Sequence, residues 1–141
     1  MYSNIVVGTD GSEPAWRAVT HAADLAKLSG ATLHVVRGVP HMVMADAATG
    51  AAAYAAMDGV VKDAEAHLVA QCEAIQHDKV QTHVVEAHGA DALMDVCAEV
   101  DADLVVVGSR GMTGAKRFVL GSVPNAVSHH APCSVLIVKT D

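Results

Sequence analysis

Aromatic side chains are scarce in this chain, where phenylalanine, tyrosine and tryptophan together make up 3% of 141 residues. Flavin sites usually need aromatic rings to stack the cofactor, so this scarcity argues against a flavodoxin-like flavin carrier. The apolar content is nevertheless 52%, and the core must therefore be built from alanine and aliphatic side chains. A chain of this length has room for one core, so we predict a single domain over residues 1–141.

Positive charge is also scarce, because nine Lys and Arg stand against sixteen Asp and Glu, and the net charge is −7. A nucleic-acid surface needs a basic stripe that displaces counterions, so we predict no nucleic-acid partner. No run of about 18 uninterrupted apolar residues occurs, which predicts no membrane span. The first residues lack the basic and long apolar regions of a secretory signal.

Cysteine is present without the spacing of a disulfide framework or a zinc site. Cys72, Cys97 and Cys133 are odd in number, lie far apart and form no Cys-x2-Cys. We interpret them as small buried hydrophobic side chains in a reducing compartment, which predicts a cytoplasmic protein. The nine histidines also lack ligand spacing, since neighbours such as His129 and His130 project about 100° apart on a helix. We therefore predict scattered surface or half-buried histidines and no metal site built from side chains.

Apolar runs and amphipathic segments alternate along the chain. The pattern predicts strands at 4–9, 31–36, 79–86, 103–107 and 134–138, with helices beginning near Ser12 and covering 52–76, 91–100 and 122–130. This alternation predicts an α/β fold with an open five-stranded parallel sheet and helices on both faces. The strand order cannot be read from the pattern.

Local signals refine two of the helices. Ser12 suits an N-cap, and Ser29-Gly30 ends the helix that Ser12 opens. In the long helix at 52–76 we expect one inward stripe, formed by Val61, Ala64, Leu68, Cys72 and Ile75. Ligands of such sheets bind at the carboxyl ends of the strands, so Asp10 and Gly108 should face one crevice.

A glycine motif follows the fourth predicted strand: Gly108-Ser109-Arg110-Gly111, then nine residues, then Gly121-Ser122. Glycine lets the backbone approach a ligand, and the helix that follows offers unpaired N–H groups to an anion. Arg110, Lys116 and Arg117 lie between the glycines. The motif predicts a phosphate-binding loop in which Ser122 serves as N-cap and hydroxyl donor; the alternative is a flexible β–α connection.

The spacing Gly-x2-Gly-x9-Gly-Ser resembles the nucleotide-binding signature of the universal stress protein family, in its ATP-binding branch. Residues 5–12 resemble the family's first strand and turn, and residues 132–139 its last strand, so the resemblance covers nearly the full length. It implies the strand order 3-2-1-4-5 of a Rossmann-like fold related to the adenine nucleotide alpha hydrolases. It also implies ATP binding, a role as a stress or metabolic-state sensor, and a homodimer through the last strand, 133–139.

The resemblance also implies which residues form the site. The phosphates would lie on the glycine loop, Asp10 would contact the nucleoside, and Thr9 would form part of the wall. The backbone of Val35 would meet the adenine. A Mg²⁺ ion held jointly with the nucleotide phosphates is also plausible, because Mg²⁺ prefers oxygen ligands such as phosphate oxygens. The resulting nucleotide-binding set is Thr9, Asp10, Val35, Gly108, Ser109, Arg110, Gly111, Gly121, Ser122 and Val123.

Catalytic signatures are missing from the sequence. It contains neither a Gly-x-Ser-x-Gly elbow nor the Gly-Lys-Ser/Thr of a Walker A loop. These absences favour binding without efficient turnover, and at most slow ATP hydrolysis. Two alternatives stay open: cyclic AMP in the same pocket, and a slow ATPase or adenylyl-transfer enzyme.

Overall fold

A computed structural model describes residues 1–41, 50–110 and 119–140. Over these residues strands and helices alternate, as predicted, in the order β1 (Asn4–Gly8), α1 (Glu13–Ser29), β2 (Thr32–Gly38), α2 (Gly50–Cys72), β3 (Val80–Val85), α3 (Gly89–Glu99), β4 (Leu104–Gly108), α4 (Ser122–His130) and β5 (Ser134–Val138). In the same ranges no helix is both long enough and apolar enough to cross a bilayer.

The strands form one parallel sheet in the order β3-β2-β1-β4-β5. Both the α/β fold class and the strand order implied by the family resemblance are therefore confirmed. At the centre, Val7 of β1 is paired with Val35 of β2 and Val106 of β4. The chain winds outward in opposite directions from β1 and β4, so their carboxyl ends flank the point where the winding reverses.

Each central strand is buried on both faces, which explains its continuous apolar sequence. Side chains such as Ile5, Val7 and Leu33 pack with α1 and with Leu68 of α2 on one face. Their neighbours pack with α3 and α4 on the other face, in a cluster that includes Val6, Val36, Leu93, Val96 and Val127. Two helices thus cover each side of the sheet, as the alternation predicts.

Helix α1 has the predicted ends. The Ser12 hydroxyl accepts a hydrogen bond from the Ala15 N–H at 3.3 Å, which satisfies one of the donors left open in the first turn. Gly30 closes the helix in the left-handed conformation, with φ of 72°. The capping residues therefore fix where α1 begins, immediately beyond the carboxyl end of β1.

Helix α2 differs from its predicted bounds of 52–76, because it begins at Gly50 and ends at Cys72. Beyond Cys72 the N–H groups of Ala74 and Ile75 bond to carbonyls three residues back, which tightens the chain out of the α-helical geometry. The inward stripe is confirmed for Ala64, Leu68 and Cys72. Val61 and Ile75 are only partly buried.

A polar network crosses the strands at the face covered by α3. The Nδ1 of His34 lies 3.0 Å from the Nε2 of His83, and the Nε2 of His34 lies 3.3 Å from the Oδ1 of Asn4. The prediction of surface or half-buried histidines is wrong for His34, which is 3% exposed. Because the Asn4 oxygen can only accept, His34 donates from Nε2 and accepts from His83 at Nδ1. Burial is the main cause that lowers the pKa of both histidines.

Candidate nucleotide-binding site

A cavity of about 420 Å³ opens at the carboxyl edge of the sheet, where β1 and β4 end side by side. Such a volume suits a small-molecule ligand. The structure brings seven of the ten predicted site residues together in its wall: Thr9, Asp10, Gly108, Arg110, Gly121, Ser122 and Val123.

The turn after β1 supplies one side of the cavity. The N–H of Thr9 extends the ladder to the carbonyl of Val36 at 2.9 Å, while its hydroxyl accepts from the Gly11 N–H at 3.1 Å. One Asp10 oxygen accepts from the Ser12 N–H at 2.9 Å. Gly11 has φ of 84°, a conformation that other residues rarely adopt. Asp10 therefore has the local turn role expected of an aspartate, while lining the cavity at the same time.

The end of β4 supplies the opposite side. A Cβ on Gly108 would lie 3.1 Å from the Cγ2 of Thr140 and 3.3 Å from the carbonyl oxygen of Arg110, so glycine lets these segments meet closely. The next residue, Ser109, bonds outward: its N–H donates to Val138 and its hydroxyl accepts from the Thr140 N–H at 3.2 Å. The Ser109 side chain thus ties the loop to the end of β5 and is not part of the cavity wall.

The N-terminus of α4 forms part of the cavity wall. Gly121 is the N-cap, with its carbonyl accepting from the Asn125 N–H at 3.1 Å and its own N–H donating to Ser109. The prediction of Ser122 as N-cap is therefore wrong: Ser122 is the first helical residue, because the extended backbone conformation falls at Gly121. Neither Ser122 nor Val123 donates its N–H to an acceptor within the described ranges, and both residues line the cavity.

Sequence reasoning missed the wall that β2 and α3 provide. Arg37 and Gly38 end β2, and Gly89 and Leu93 belong to the first turns of α3. The nearest Arg37 guanidinium nitrogen would lie 3.3 Å from a Cβ on Gly11, which brings this cation beside the β1 turn. A signal was available for Arg37 and Gly38, since both follow directly after the predicted strand 31–36, at the ligand-binding edge of the sheet.

Among the glycines that the structure describes, Gly38 is the closest to other backbone. A Cβ there would lie 2.7 Å from the carbonyl oxygen of Ala87 and 3.0 Å from the Cα of Gly89. The turn into α3 therefore passes directly over the end of β2. This contact brings the amino end of α3 to the cavity.

Besides Ser109, one further predicted site residue that the structure describes, Val35, lies outside the cavity wall. The side chain of Val35 is fully buried on the face covered by α1 and α2, and it does not line the cavity, whereas its neighbour Val36 does. Successive side chains of a strand point to opposite faces, so only one of the two can face α3 and the cavity. Gly111, like Lys116 and Arg117, lies outside the described residues.

The charges in the wall are of mixed sign. Arg37 approaches from β2 and Arg110 from β4, while Asp10 lies on β1's turn between them. The α4 N-terminus adds the partial positive charge of its open N–H groups. In a protein of net charge −7, this edge combines positive charge with donors suited to a phosphate, and a carboxylate suited to hydroxyl groups.

Comparison with known proteins gives a consistent result. The family model described as "Universal stress protein family" matches residues 1–139. Universal stress protein Rv1636 of Mycobacterium tuberculosis is 33% identical, over 99% of this chain and 97% of its own length.

Solved structures share the fold. The universal stress protein UspA from Lactobacillus plantarum superposes with a TM-score of 0.80, at 25% identity and over 98% of each chain. A universal stress protein in complex with cAMP is 30% identical, with a TM-score of 0.69 and 99% of each chain covered. One from Archaeoglobus fulgidus in complex with dAMP is 26% identical, with a TM-score of 0.59 and 98% of each chain covered.

Proposed function

The chain belongs to the universal stress protein family, and from this premise we propose that it binds ATP in the carboxyl-edge cavity as a sensor of stress or metabolic state. The nucleotide would be bound without efficient turnover. Two relatives described as complexes with cAMP and dAMP support an adenine nucleotide as the ligand class.

The observation that carries this proposal is the α4 N-terminus facing the cavity beside Gly108. Ser122 and Val123, whose N–H groups belong to the open first turn of α4, line the cavity together with Arg110. The Ser122 hydroxyl would add a further donor to a phosphate, and Arg110 full positive charge. Phosphate oxygens accept from such donors with short, charge-assisted hydrogen bonds. We therefore assign the phosphates to the β4–α4 side.

The nucleoside would then extend toward β1 and β2. The Asp10 carboxylate lines that side of the cavity and is a natural acceptor for ribose hydroxyl groups, while Thr9 forms part of the wall. Val36 offers an apolar surface to the adenine, and Val35 contributes through its main chain. Arg37 lies at the same end, where its guanidinium plane is suited to stacking on a base.

The number of phosphates separates ATP from the second candidate, cyclic AMP. The relative described as a cAMP complex favours cyclic AMP, whereas two arginines and a helix N-terminus favour the greater charge of ATP. Mg²⁺ would be held mainly by phosphate oxygens and water, with Asp10 the carboxylate among the lining residues that the structure describes.

Calorimetric titration of the purified protein with ATP, cyclic AMP and GTP tests the ligand, with and without Mg²⁺. A matched pair of variants tests the site. A Cβ on Gly121 would meet Pro124 and Ser109 at 3.4 Å, an ordinary contact, so the position tolerates a side chain. Gly121→Glu places a carboxylate beside the phosphates, and Gly121→Gln has the same shape without the charge.

We expect Gly121→Glu to bind ATP at least about tenfold more weakly than Gly121→Gln, because a like charge facing a phosphate costs more than about 1.4 kcal/mol. Equal affinity in the two variants would contradict a phosphate site at this loop. Tight binding of cyclic AMP with no ATP binding would move the assignment to the second candidate. A phosphate-release assay in the same buffer tests turnover. Release of several phosphate molecules per protein molecule per minute would indicate an enzyme and contradict the proposal of a sensor.

We also propose a homodimer through the last strand, residues 133–139. Strand β5 lies at one edge of the sheet, with β4 on its inner side, and its side chains from Val135 to Val138 are partly exposed. An open edge of apolar residues favours pairing with a second copy. Sedimentation should give twice the chain mass of 14.5 kDa.

A lysine on the edge strand tests the same interface. Ile137→Lys should give monomers, whereas Val69→Lys on the exposed side of α2 should leave the dimer intact. A wild-type monomer at micromolar concentration, or two variants that sediment alike, would contradict the proposed interface.

A further inference from the structure

A buried threonine follows the edge strand β5. Thr140 is 5% exposed, and in the described part of the chain it shares the interior with two other polar residues, Thr9 and His34. Thr9 belongs to the β1 turn and His34 to the polar network across the strands, whereas Thr140 lies beyond the end of a strand. Because a buried hydroxyl is costly unless it is hydrogen-bonded, the partners of Thr140 show what holds it there.

On the β4 side, Thr140 contacts Ser109 through two groups. The two hydroxyl oxygens lie 3.3 Å apart, so that either can donate, and the Thr140 N–H donates to the Ser109 hydroxyl oxygen at 3.2 Å. The Thr140 Cγ2 lies over Gly108, where an added Cβ would come within 3.1 Å of it. The Ser109 carbonyl accepts from the Gly121 N–H at 3.1 Å. Thr140 is thus connected through Ser109 to the N-cap of α4.

On the other side, Thr140 contacts α1 through its backbone. Its carbonyl accepts from the Nη1 of Arg17 at 3.3 Å. Arg17 lies in α1, the helix that begins directly after the β1 turn. A variant that lacks only the Thr140 hydroxyl would therefore keep the bond to α1 and lose a contact on the β4 side alone.

We propose that the Thr140 hydroxyl is a positioning group for phosphate recognition. It fixes Ser109, and Ser109 holds Gly121 and the first turn of α4 against the end of β4. This inference rests on the proposed function, which assigns the phosphates to the β4–α4 side. Thr140 is not among the lining residues of the cavity, so it acts on the ligand only through Ser109. The nucleoside, which would lie toward β1 and β2, should not depend on this hydroxyl.

Calorimetric titration with ATP and with adenosine, each with Mg²⁺, separates positioning from a general structural role. Thr140→Val keeps the shape and the methyl group over Gly108 and removes only the hydroxyl. We expect ATP to bind about three- to tenfold more weakly, as for one lost neutral hydrogen bond, and adenosine to bind within about twofold of the wild type. Thr140→Ser restores the hydroxyl and should bind ATP as the wild type does.

Two further variants sharpen the comparison. Thr20→Val is the matched control, because the exposed Thr20 hydroxyl bonds to the Trp16 carbonyl within α1 at 3.1 Å, and it should bind both ligands like the wild type. Ser109→Ala should weaken ATP binding at least as much as Thr140→Val does. The double variant should bind ATP no more weakly than Ser109→Ala, because the two hydroxyl groups act as one unit.

The Gly121 amide provides a measurement that needs no ligand. Its hydrogen exchange, followed by NMR in nucleotide-free protein, should be faster in Thr140→Val than in the wild type and in Thr140→Ser. Equal exchange, unchanged ATP affinity in Thr140→Val, or equal losses for ATP and adenosine would each overturn the proposal. If the wild type binds neither ligand, the proposed function fails, and the exchange rates alone decide whether Thr140 holds the α4 N-cap.

Discussion

The substitution of glycine by alanine can be compared at three positions that differ in their surroundings. At Gly38 an added Cβ would meet backbone atoms of Ala87 and Gly89 at 2.7 to 3.1 Å. At Gly8 it would meet the Cδ1 of Leu93, the end of a flexible side chain, at 2.9 Å. At Gly59, on the exposed side of α2, it would meet nothing within 4 Å outside the helix itself.

The expected changes in the free energy of unfolding follow from these contacts. Gly59→Ala should stabilise the protein by about 0.5–1 kcal/mol, because alanine loses less backbone entropy in a helix. Gly8→Ala should destabilise it by about 1 kcal/mol, since the Leu93 side chain can turn away. Gly38→Ala should destabilise it by about 2–3 kcal/mol, the upper part of the range for overpacking, because backbone cannot move without shifting α3.

Urea unfolding measures all three changes on one scale. Trp16 is the single tryptophan of the chain and packs against the core, so its fluorescence reports global unfolding. Circular dichroism at 222 nm, a wavelength typical of helix, provides a second probe whose transition should coincide. The slope of the free energy of unfolding against urea concentration should be the same for all variants, so that shifts in the urea midpoint measure changes in stability.

The order of the three variants in free energy of unfolding is the critical result. If Gly38→Ala is as stable as the wild type, the turn into α3 does not pass over β2 as described. If Gly59→Ala destabilises the protein, the exposed side of α2 has an unrecognised contact. ATP binding adds a second check, since Gly38→Ala should weaken binding by displacing the cavity wall, whereas Gly59→Ala should leave it unchanged.

Two other predictions concern stability. The pKa values of His34 and His83 are lowered in the folded state, chiefly by burial and for His34 also by the charge of His83, while Glu99 acts in the opposite direction. The contribution of the two neutral histidines to the free energy of unfolding is therefore fully present above the unfolded pKa of about 6.5, and it is lost as pH falls below that value. The urea midpoint should fall more between about pH 7.5 and about pH 5.5 in the wild type than in His83→Gln; equal falls would contradict a neutral pair. Leu68→Ala should lose about 2–5 kcal/mol, because Leu68 is fully buried. Leu28→Ala, at an 85% exposed position, should change stability by less than about 0.5 kcal/mol, and similar losses in both would contradict the assignment of the core.

Local chemistry explains why the element order could be predicted. The runs Ile5–Val7 and Leu104–Val107 are apolar because both faces of the central strands are covered, and Ser12 and Gly30 cap α1 through bonds to residues nearby. The strand order came instead from the family resemblance, since periodicity within a strand contains no information about its neighbours. The end of α2 was misplaced because apolar spacing continues to Ile75 while the backbone has already tightened.

The β4 and α4 half of the cavity could be predicted because its residues form one local motif. In the β2 and α3 half, strand position points to Arg37 and Gly38, but the need for glycine at position 38 could not be predicted, since it arises from Ala87 and Gly89, far along the chain. Whether the side chain of Val35 or that of Val36 lines the cavity depends on which face of the sheet α3 covers. The β–α–β crossovers decide this, and the residues of the strand do not.

Ser109 has a consequence for regulation. Its carbonyl accepts from the Gly121 N–H, at the cap of α4, and its N–H and hydroxyl bond to Val138 and Thr140 at the end of β5. One residue thus contacts both the proposed phosphate loop and the proposed dimer strand. If ATP binding and dimerisation are coupled through this residue, the linkage is reciprocal. Any factor by which ATP tightens dimerisation is then also the factor by which dimerisation tightens ATP binding. A monomeric variant would therefore measure any such coupling through its nucleotide affinity alone.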